Sequence, residues 1–353
     1  MKKMIFSAML AAGMLCHGTA SLAAVDYKIV TASERGTYIK IGRDLAELVA
    51  PSADINLDAL PSAGSAENVR RLRYEQGVKL ALVQSDVYQS YIDIAAAGNA
   101  AARSLIRPLR VIMPLYNEEI YFIVRADSQL NFIHEIKTAR INAGEAGSGT
   151  ALTSATLYRL MFGQTMPDAS VSYLPNEDAL TKLVTDKTLD VVAVVAGQPA
   201  KLLVDMKPES RQLIKLLKFD PKHATSEAAL KTYFPASVRA SNYPNLLATD
   251  IASLAVKAFL VTYDFQLKDT ETHLRHLGRS LCQNFATLQE KGHPKWREVQ
   301  LALPELGRGW FYYAPTAREI RACIAGESKP RTLVKARPAT QCSQHERILG
   351  LCQ

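Results

Sequence analysis

A glycine-rich segment at residues 141–150, INAGEAGSGT, lies between a short apolar run and a sequence with helical periodicity. The free N–H groups and the partial positive charge at the start of a helix bind anions. Loops of this type occur in nucleotide-binding enzymes, and they also occur in receptors that carry out no chemistry. The segment therefore predicts an anion-binding site, and its neighbouring residues must distinguish these two classes.

The nucleotide-binding motifs are incomplete in this segment. Gly144 and Gly149 have the spacing of a P-loop, but Thr150-Ala151 stands where that motif has a lysine followed by serine or threonine. Without the lysine, no side chain would reach the terminal phosphates of a nucleotide. The glycines do not follow the order of the dinucleotide-binding fingerprint, and the chain contains no G-x-S-x-G nucleophile motif.

Other candidate catalytic groups lack the partners that their chemistry requires. His273 and His276 are three residues apart, but no acid or cysteine has a spacing that would complete a zinc site. Glu118 and Glu119 could be an acid and a base, yet neighbouring side chains on an extended segment point to opposite faces. The sequence therefore predicts no catalytic residue, no metal site and no cofactor.

Three further transitions from an apolar run to a helical sequence have a similar composition. They are IVTASERGTY at 29–38, LVQSDVY at 82–88 and VVAGQPA at 194–200. Any one of these transitions is explained by ordinary helix capping. Ligands of open α/β sheets, however, bind beyond the carboxyl ends of the strands, where all four transitions would lie. Two transitions in each half of the chain indicate one shared site for a small anionic solute.

The apolar runs predict alternating strands and helices along the chain. Strands are expected at 26–31, 55–60, 79–83, 110–115, 120–124, 140–143, 171–174, 189–195 and 251–261, with helices at 38–49, 66–74, 86–97 and 153–162, and from 262 to about 293. This alternation is typical of an α/β fold with mostly parallel sheets and helices on their faces.

The N-terminal residues have the pattern of an export signal. Lys2 and Lys3 precede an apolar run over 4–15, and Ser21-Leu22-Ala23 supplies small residues for a signal peptidase. The run is shorter than the roughly 20 residues of a membrane-spanning helix. We expect residues 1–23 to be a cleaved signal peptide and the protein to be periplasmic. The net charge of +8 is scattered along the chain, and no nucleic-acid binding is predicted.

Four cysteines follow the expected signal peptide, namely Cys282, Cys323, Cys342 and Cys352. In an oxidising compartment an even number of cysteines indicates disulfides, and four cysteines allow three connectivities. We favour a pair between Cys282 and Cys323 and a local loop between Cys342 and Cys352, with free buried thiols as the alternative. Residues 326–353 are interpreted as a C-terminal extension.

Six segments, in this order, resemble the TAXI family of solute receptors of TRAP transporters. They are ERGTYIKIGRDLAELV (34–49), LALVQSDVY (80–88), PLYNEEIYFIVRADS (114–128), INAGEAGSGT (141–150), DVVAVVAGQPA (190–200) and DIASLAVKAFLVT (250–262). The resemblance covers roughly residues 26 to 320. It implies a type II periplasmic binding protein with two lobes, a mostly parallel sheet in each, and a hinge between them. Lobe one would comprise 25–123 and 251–325, and lobe two 124–250.

The resemblance also implies which residues contact the ligand. These are Gly36, Thr37, Tyr38, Gln84, Ser85, Tyr116, Glu118, Ser148, Gly149, Thr150 and Gln198. Three positions depart from the usual family pattern: Arg35 precedes Gly36, Glu145 replaces a small residue or proline, and Gln198 stands where histidine is frequent. Arg35 would either add a cation to the cleft or point outward, and Glu145 would bring a negative charge near the anion-binding segment.

The function implied is that of a monomeric periplasmic receptor and not of an enzyme. It would capture a small carboxylate, either an amino acid or an organic acid, and deliver it to a TRAP-type permease in the inner membrane. One alternative is a binding protein that serves a periplasmic sensor or another transporter. A second alternative, an exported α/β enzyme, has no catalytic constellation to support it.

Overall fold

The computed structural model describes residues 24–34, 36–307 and 309–327. The expected signal peptide, Arg35, Cys342 and Cys352, and all of the C-terminal extension beyond residue 327 lie outside the described residues. Within the described ranges, no helix has both the length and the apolar character that crossing a membrane requires.

The strands and helices alternate along most of the chain. The first part contains β1 (Val25–Val30), α1 (Thr37–Leu48), β2 (Ile55–Leu60), α2 (Ser65–Tyr74), β3 (Val78–Gln84), α3 (Val87–Ala96), α4 (Ala100–Ile106) and β4 (Leu109–Arg125). The middle contains β5 (Ile141–Asn142), α5 (Gly149–Phe162), β6 (Val171–Ser172), α6 (Asn176–Thr181), β7 (Val191–Ala196), α7 (Lys201–Val204), α8 (Ser210–Leu213), β8 (Ile214–Leu216), α9 (Ser226–Ala229) and β9 (Phe234–Val238). The last part contains β10 (Ile251–Tyr263), α10 (Lys268–Gln283), α11 (Phe285–Lys291) and α12 (Ala314–Glu327).

One sheet runs through the described chain in the order β2-β1-β3-β10-β4-β7-β5-β6, with β8 paired to β4 and β9 paired to β10. β1 is parallel to β2 and β3, and β5 is parallel to β6 and β7. β10 is antiparallel to both β3 and β4, and β4 is antiparallel to β7. The sheet is therefore mixed, because two parallel groups of three strands flank a central antiparallel pair.

The central pair, β4 and β10, spans both halves of the molecule. The sequence predicts two extended segments at 110–115 and 120–124, but the structure has one strand of 17 residues over both. The residues between those segments also pair with β10, since Asn117, Glu118 and Glu119 lie opposite Lys257, Val256 and Ala255. This pairing satisfies the backbone between the two predicted segments, so they belong to one continuous strand.

The apolar core divides into four clusters, one on each face of each half of the sheet. Lobe one has one cluster around Ile29, Leu45 and Trp296 and another around Val83 and Trp310. The two clusters of lobe two surround Phe122, Leu157 and Tyr233 on one face and Tyr121, Val192 and Tyr243 on the other. Along β4, the first core extends to Tyr116 and the second begins at Ile120. The prediction of a two-lobed α/β fold is confirmed.

A disulfide joins Cys282 in α10 to Cys323 in α12, whose Cα atoms are 6.4 Å apart. The predicted pairing of these two cysteines is confirmed. α10 packs closely on α12, and a side chain at Gly278 would lie 2.9 Å from the Cα atom of Thr316. The disulfide therefore holds the last described helix against lobe one.

Removal of this disulfide should destabilise the protein. In a background with Cys342 and Cys352 replaced by serine, Cys282→Ser/Cys323→Ser should lower the free energy of unfolding by about 3–4 kcal/mol, because the closed loop spans about 40 residues. Urea unfolding under oxidising conditions measures the change. A reductant should lower the stability of the background protein to that of the variant, and equal stability of the oxidised proteins would contradict the prediction.

Candidate functional site

A cleft of about 890 Å³ lies between the two lobes. Residues from all four predicted transitions line it: Gly36 and Thr37 before and in α1, Gln84 at the end of β3, Gly149 at the start of α5, and Gly197 after β7. The volume lies within the range of sites that enclose small molecules. The fold thus brings together segments that are more than 150 residues apart in the sequence.

Eight of the eleven expected ligand-contacting residues line this cleft: Gly36, Thr37, Tyr38, Gln84, Glu118, Ser148, Gly149 and Thr150. Ser85, Tyr116 and Gln198 are not among the lining residues. Glu145, one of the departures from the family pattern, also lines the cleft and is exposed.

The three remaining residues make internal contacts instead. Ser85 pairs with β10, where its N–H donates to the Lys257 carbonyl at 2.8 Å and its Oγ accepts from the Lys257 N–H at 3.1 Å. Tyr116 is buried in the core of lobe one, and its hydroxyl has no hydrogen-bond partner among the described residues. The Gln198 amide donates to Glu119 Oε1 at 3.0 Å and to the Ser237 carbonyl at 2.9 Å. Sequence position alone could not show these side-chain directions.

The start of α5 offers backbone donors to the cleft. Gly144 and Gly147 have positive φ angles, which turn the loop so that the helix begins at Gly149. Ser148 caps the helix, since its Oγ accepts from the Ala151 N–H at 3.0 Å. The N–H groups of Gly149 and Thr150 make no hydrogen bond to any described residue. These two amides are therefore free to bind an anion.

The Thr150 side chain has a structural contact of its own. Its Oγ1 accepts from the Val195 N–H at 3.2 Å, which ties the first turn of α5 to β7. The hydroxyl thus positions the helix, while the backbone N–H groups of Gly149 and Thr150 have no partner among the described residues. The sequence pattern pointed to the correct turn but could not separate these two roles.

Glu118 is a buried carboxylate in the cleft wall, with only 5% of its surface exposed. Tyr38 donates its hydroxyl proton to Glu118 Oε2 at 2.7 Å. Burial raises the pKa of Glu118 to about 7, against the lowering effect of hydrogen bonds from Tyr38 and Gln84. Glu119 points the other way and accepts from the Gln198 N–H at 2.9 Å, as expected for neighbours on a strand.

Lys295 is a site residue that the sequence did not indicate. It lies in a short 3-10 helix, Pro294–Glu298, after α11, and is only 4% exposed although it lines the cleft. Its ammonium donates to Glu298 at 2.7 Å and lies 5.5 Å from the centre of the Tyr116 ring. No glycine-rich transition marks this segment, so only the tertiary structure brings its cation to the cleft.

Asp86 joins the two lobes behind the cleft. This residue of lobe one is 1% exposed, and its Oδ2 accepts from the hydroxyls of Thr153 at 2.7 Å and Tyr233 at 3.0 Å, both in lobe two. Burial raises the pKa of Asp86 to about 6, against the lowering effect of these two hydrogen bonds. Asp93 and Arg159 form a second contact between the lobes.

The lobes also approach each other closely at a pair of glycines. A Cβ atom at Gly64, in lobe one, would lie 3.0 Å from the Gly149 nitrogen and 3.3 Å from the Ser148 Cα atom. Gly64 has a φ of +129°, which strongly favours glycine. A Cβ atom at Gly149 would lie 2.0 Å from Gln84 Oε1. The structure therefore has the lobes in contact around the start of α5.

A family model described as the NMT1-like family matches residues 29–303, which is well over half of the sequence. The chain belongs to the NMT1-like family. The matched range includes most of both lobes, up to residue 303, and every residue of the cleft named above.

Several solved structures are similar to this NMT1-like protein. The periplasmic binding protein BugD is 13% identical with a TM-score of 0.47, over 86% of this chain and 94% of that one. The periplasmic sulfonate-binding protein SsuA from Methylobacillus flagellatus KT is 9% identical with a TM-score of 0.45, over 84% and 78%. A TctC solute binding protein from Polaromonas is 15% identical with a TM-score of 0.38, over 88% and 100%. All three are named as binding proteins.

The buried carboxylate of Asp86 should make the stability of this NMT1-like protein depend on pH. Because its pKa is raised from 3.8 to about 6 in the folded protein, the folded state binds a proton more tightly than the unfolded state. Stability should therefore fall as the pH rises from about 4 to about 6, by up to about 3 kcal/mol. Asp86→Asn keeps an oxygen acceptor but cannot ionise, so it should lose this dependence.

Urea unfolding of wild type and Asp86→Asn between pH 4 and pH 7 measures this difference. Asp127→Asn, at an exposed position in lobe two, is the control and should follow the wild-type curve. Parallel curves for wild type and Asp86→Asn would show that Asp86 does not titrate as its burial requires.

A side chain at Gly64 should hold the lobes apart. Gly64→Ala would add a methyl group against the backbone of Ser148 and Gly149, whereas Gly98→Ala would place the same group in open space. Both glycines have positive φ, +129° and +105°, so both variants should be destabilised by about 1 kcal/mol or more. Gly64→Ala should be the more destabilised of the two in urea unfolding, because only its methyl group must displace backbone atoms of the other lobe. Equal destabilisation of the two variants would contradict the closed contact.

Proposed function

We propose that this NMT1-like protein is a periplasmic receptor that captures a small carboxylate in the interlobe cleft and delivers it to a membrane transporter. The observation that carries the proposal is the start of α5, where Gly149 and Thr150 line the cleft and their N–H groups have no hydrogen-bond partner among the described residues. Two unpaired amides at the positive end of a helix favour an anionic group of the ligand.

Lobe one supplies a second set of donors. α1 begins at Thr37 with no side-chain hydrogen bond at its N-cap, Gly36, and both residues line the cleft. Lys295 adds a positive charge with little exposure to water. A ligand held by α5 from one lobe, and by α1 or Lys295 from the other, would stabilise the closed arrangement of the lobes.

The proposal gives different roles to the expected ligand-contacting residues. The eight that line the cleft are proposed to contact the solute. Ser85, Tyr116 and Gln198 are proposed to position their neighbours, because Ser85 pairs with β10, Tyr116 packs beneath Lys295, and Gln198 holds Glu119. Such a division agrees with a receptor that encloses a small molecule by hinge motion.

The partner is proposed to be a TRAP-type permease of the inner membrane, with this chain as a TAXI-like monomeric receptor. The support for this finer assignment is the resemblance of the six sequence segments, from ERGTYIKIGRDLAELV to DIASLAVKAFLVT. Co-purification with a TRAP permease encoded beside this chain would test it, and capture by a sensor kinase instead would contradict it.

A thermal-shift screen of the mature protein tests the class of solute. A carboxylate present at 100 times its Kd should add about 2.7 kcal/mol to the free energy of unfolding. Amino acids, mono- and dicarboxylic acids, sugars and inorganic cations form the panel. A shift produced by a sugar or a metal cation, with none from any carboxylate, would contradict the proposal.

The bound carboxylate should then depend on the buried lysine. Lys295→Gln should weaken its affinity at least tenfold, because a charge-assisted hydrogen bond with little solvent screening is lost. Lys201→Gln is the matched control, since Lys201 also lines the cleft and is also bound to a carboxylate, that of Asp205, but is largely exposed. The control should change the affinity by less than about threefold, and isothermal titration calorimetry measures both.

A further inference from the structure

The interlobe cleft contains a buried carboxylate, that of Glu118, to which a purely anionic solute would offer no favourable contact. Glu118 lines the cleft with 5% of its surface exposed, and Tyr38 donates to one of its oxygens at 2.7 Å. A buried carboxylate is costly unless it is paired with a cation or saturated with hydrogen bonds. Among the described residues, Glu118 forms no ion pair.

The nearest protein cation is already bound elsewhere. The Lys295 ammonium is close enough to lower the pKa of Glu118, but it donates to Glu298 at 2.7 Å. The other groups that act on Glu118 are the hydroxyls of Tyr38 and Tyr116, the Gln84 amide and, at longer range, the carboxylate of Glu119, whose side chain points the other way. None of these four groups carries a positive charge, so the cleft itself does not neutralise Glu118.

The charges of the residues that line the cleft also favour a ligand with a positive group. Six acidic side chains and three lysines are found among the described residues that line the cleft. Two of those lysines, Lys201 and Lys295, are bound to carboxylates of the same wall, and one of the acidic side chains, Glu34, is bound to Arg43. A second carboxylate on the ligand would add to this negative excess, whereas an ammonium group would reduce it.

Glu118 also has a special place in the fold. It lies on β4 between the last core residue of lobe one, Tyr116, and the first of lobe two, Ile120. Its backbone pairs with Val256 of β10, the other strand shared by both lobes. A cation bound by Glu118 would therefore lie at the base of the cleft, where neither lobe can move away from it.

We propose that the solute carries an ammonium group as well as a carboxylate, that it is therefore an amino acid, and that Glu118 binds the ammonium. The inference rests on the proposed function, because the carboxylate of the same molecule is assigned to the start of α5. The exposed Glu145 is given no part in this contact, since water screens its charge.

The proposal has a pH dependence whose sign follows from the burial of Glu118. With a pKa of about 7 in the absence of a cation, Glu118 is largely protonated at pH 6 and must lose its proton to bind an ammonium. The affinity for an amino acid should therefore be about tenfold lower at pH 6 than at pH 8. The affinity for a carboxylate without an amino group should not be lower at pH 6 than at pH 8.

Matched pairs of ligands test the proposal. Isothermal titration calorimetry would compare L-amino acids with the carboxylates of the same carbon skeleton, such as L-glutamate with glutarate and L-leucine with 4-methylpentanoate. The wild type should bind the preferred amino acid at least a hundredfold more tightly than its analogue. Glu118→Gln should lower that ratio at least tenfold, and Glu145→Gln, the same charge change at an exposed position, should leave it within about threefold.

The possible outcomes separate this inference from the proposed function. Equal or tighter binding of the analogues would overturn the inference and leave the carboxylate receptor intact. Failure of every carboxylate, with or without an amino group, would overturn both. A ratio that Glu118→Gln does not change would also overturn the inference. If Glu118→Gln proves unstable in thermal unfolding, the wild-type ratio and its change between pH 6 and pH 8 still decide the question.

Discussion

The pairing of β4 with β10 is the interaction on which the rest of the molecule depends. The two strands run antiparallel through both lobes, and each pairs with a parallel group of strands on its outer side, β3 for β10 and β7 for β4. The carboxyl ends of the two parallel groups therefore face the same central region. The cleft lies there, since the loops that leave β1, β3, β5 and β7 all supply lining residues.

Two buried carboxylates lie near this central region, and one of them bonds across the lobes whereas the other bonds within one lobe. Asp86 bonds to hydroxyls of the second lobe from its place after β3, so it belongs to the contact between the lobes. Glu118 bonds to Tyr38 within the first lobe and is open to the cleft. Burial raises the pKa of both carboxyl groups because it destabilises their charged forms. A hydrogen-bond donor or a cation nearby stabilises the charged form of each. The contact between the lobes and the proposed contact with the ligand thus both depend on a buried carboxylate, Asp86 in the first case and Glu118 in the second.

Much of the fold could be predicted because the local signals were strong. The apolar runs at β3 and β7, the glycines before α5 and the periodicity of α1 all agree with the structure. Weaker signals were lost. The short strands β8 and β9 were not predicted, and neither was α4, while the helical region from 262 divides into α10 and α11 at Asn284. The continuity of β4 depends on its partner strand, and the sequence of β4 alone contains no information about that partner.

The candidate site shows the same division. Sequence by itself determined the four transitions from strand to helix and the absence of the P-loop lysine after Gly149, because both depend on residue type and spacing along the chain. It favoured the pairing of Cys282 with Cys323 among three connectivities, and the structure decided it. Only the tertiary structure decided that Lys295 reaches the cleft. It also decided that Ser85 and Gln198 hydrogen-bond to strands β10 and β4, and that the Thr150 hydroxyl accepts a hydrogen bond from β7. Side-chain direction and burial are set by packing between segments far apart in the sequence, and local composition does not record that packing.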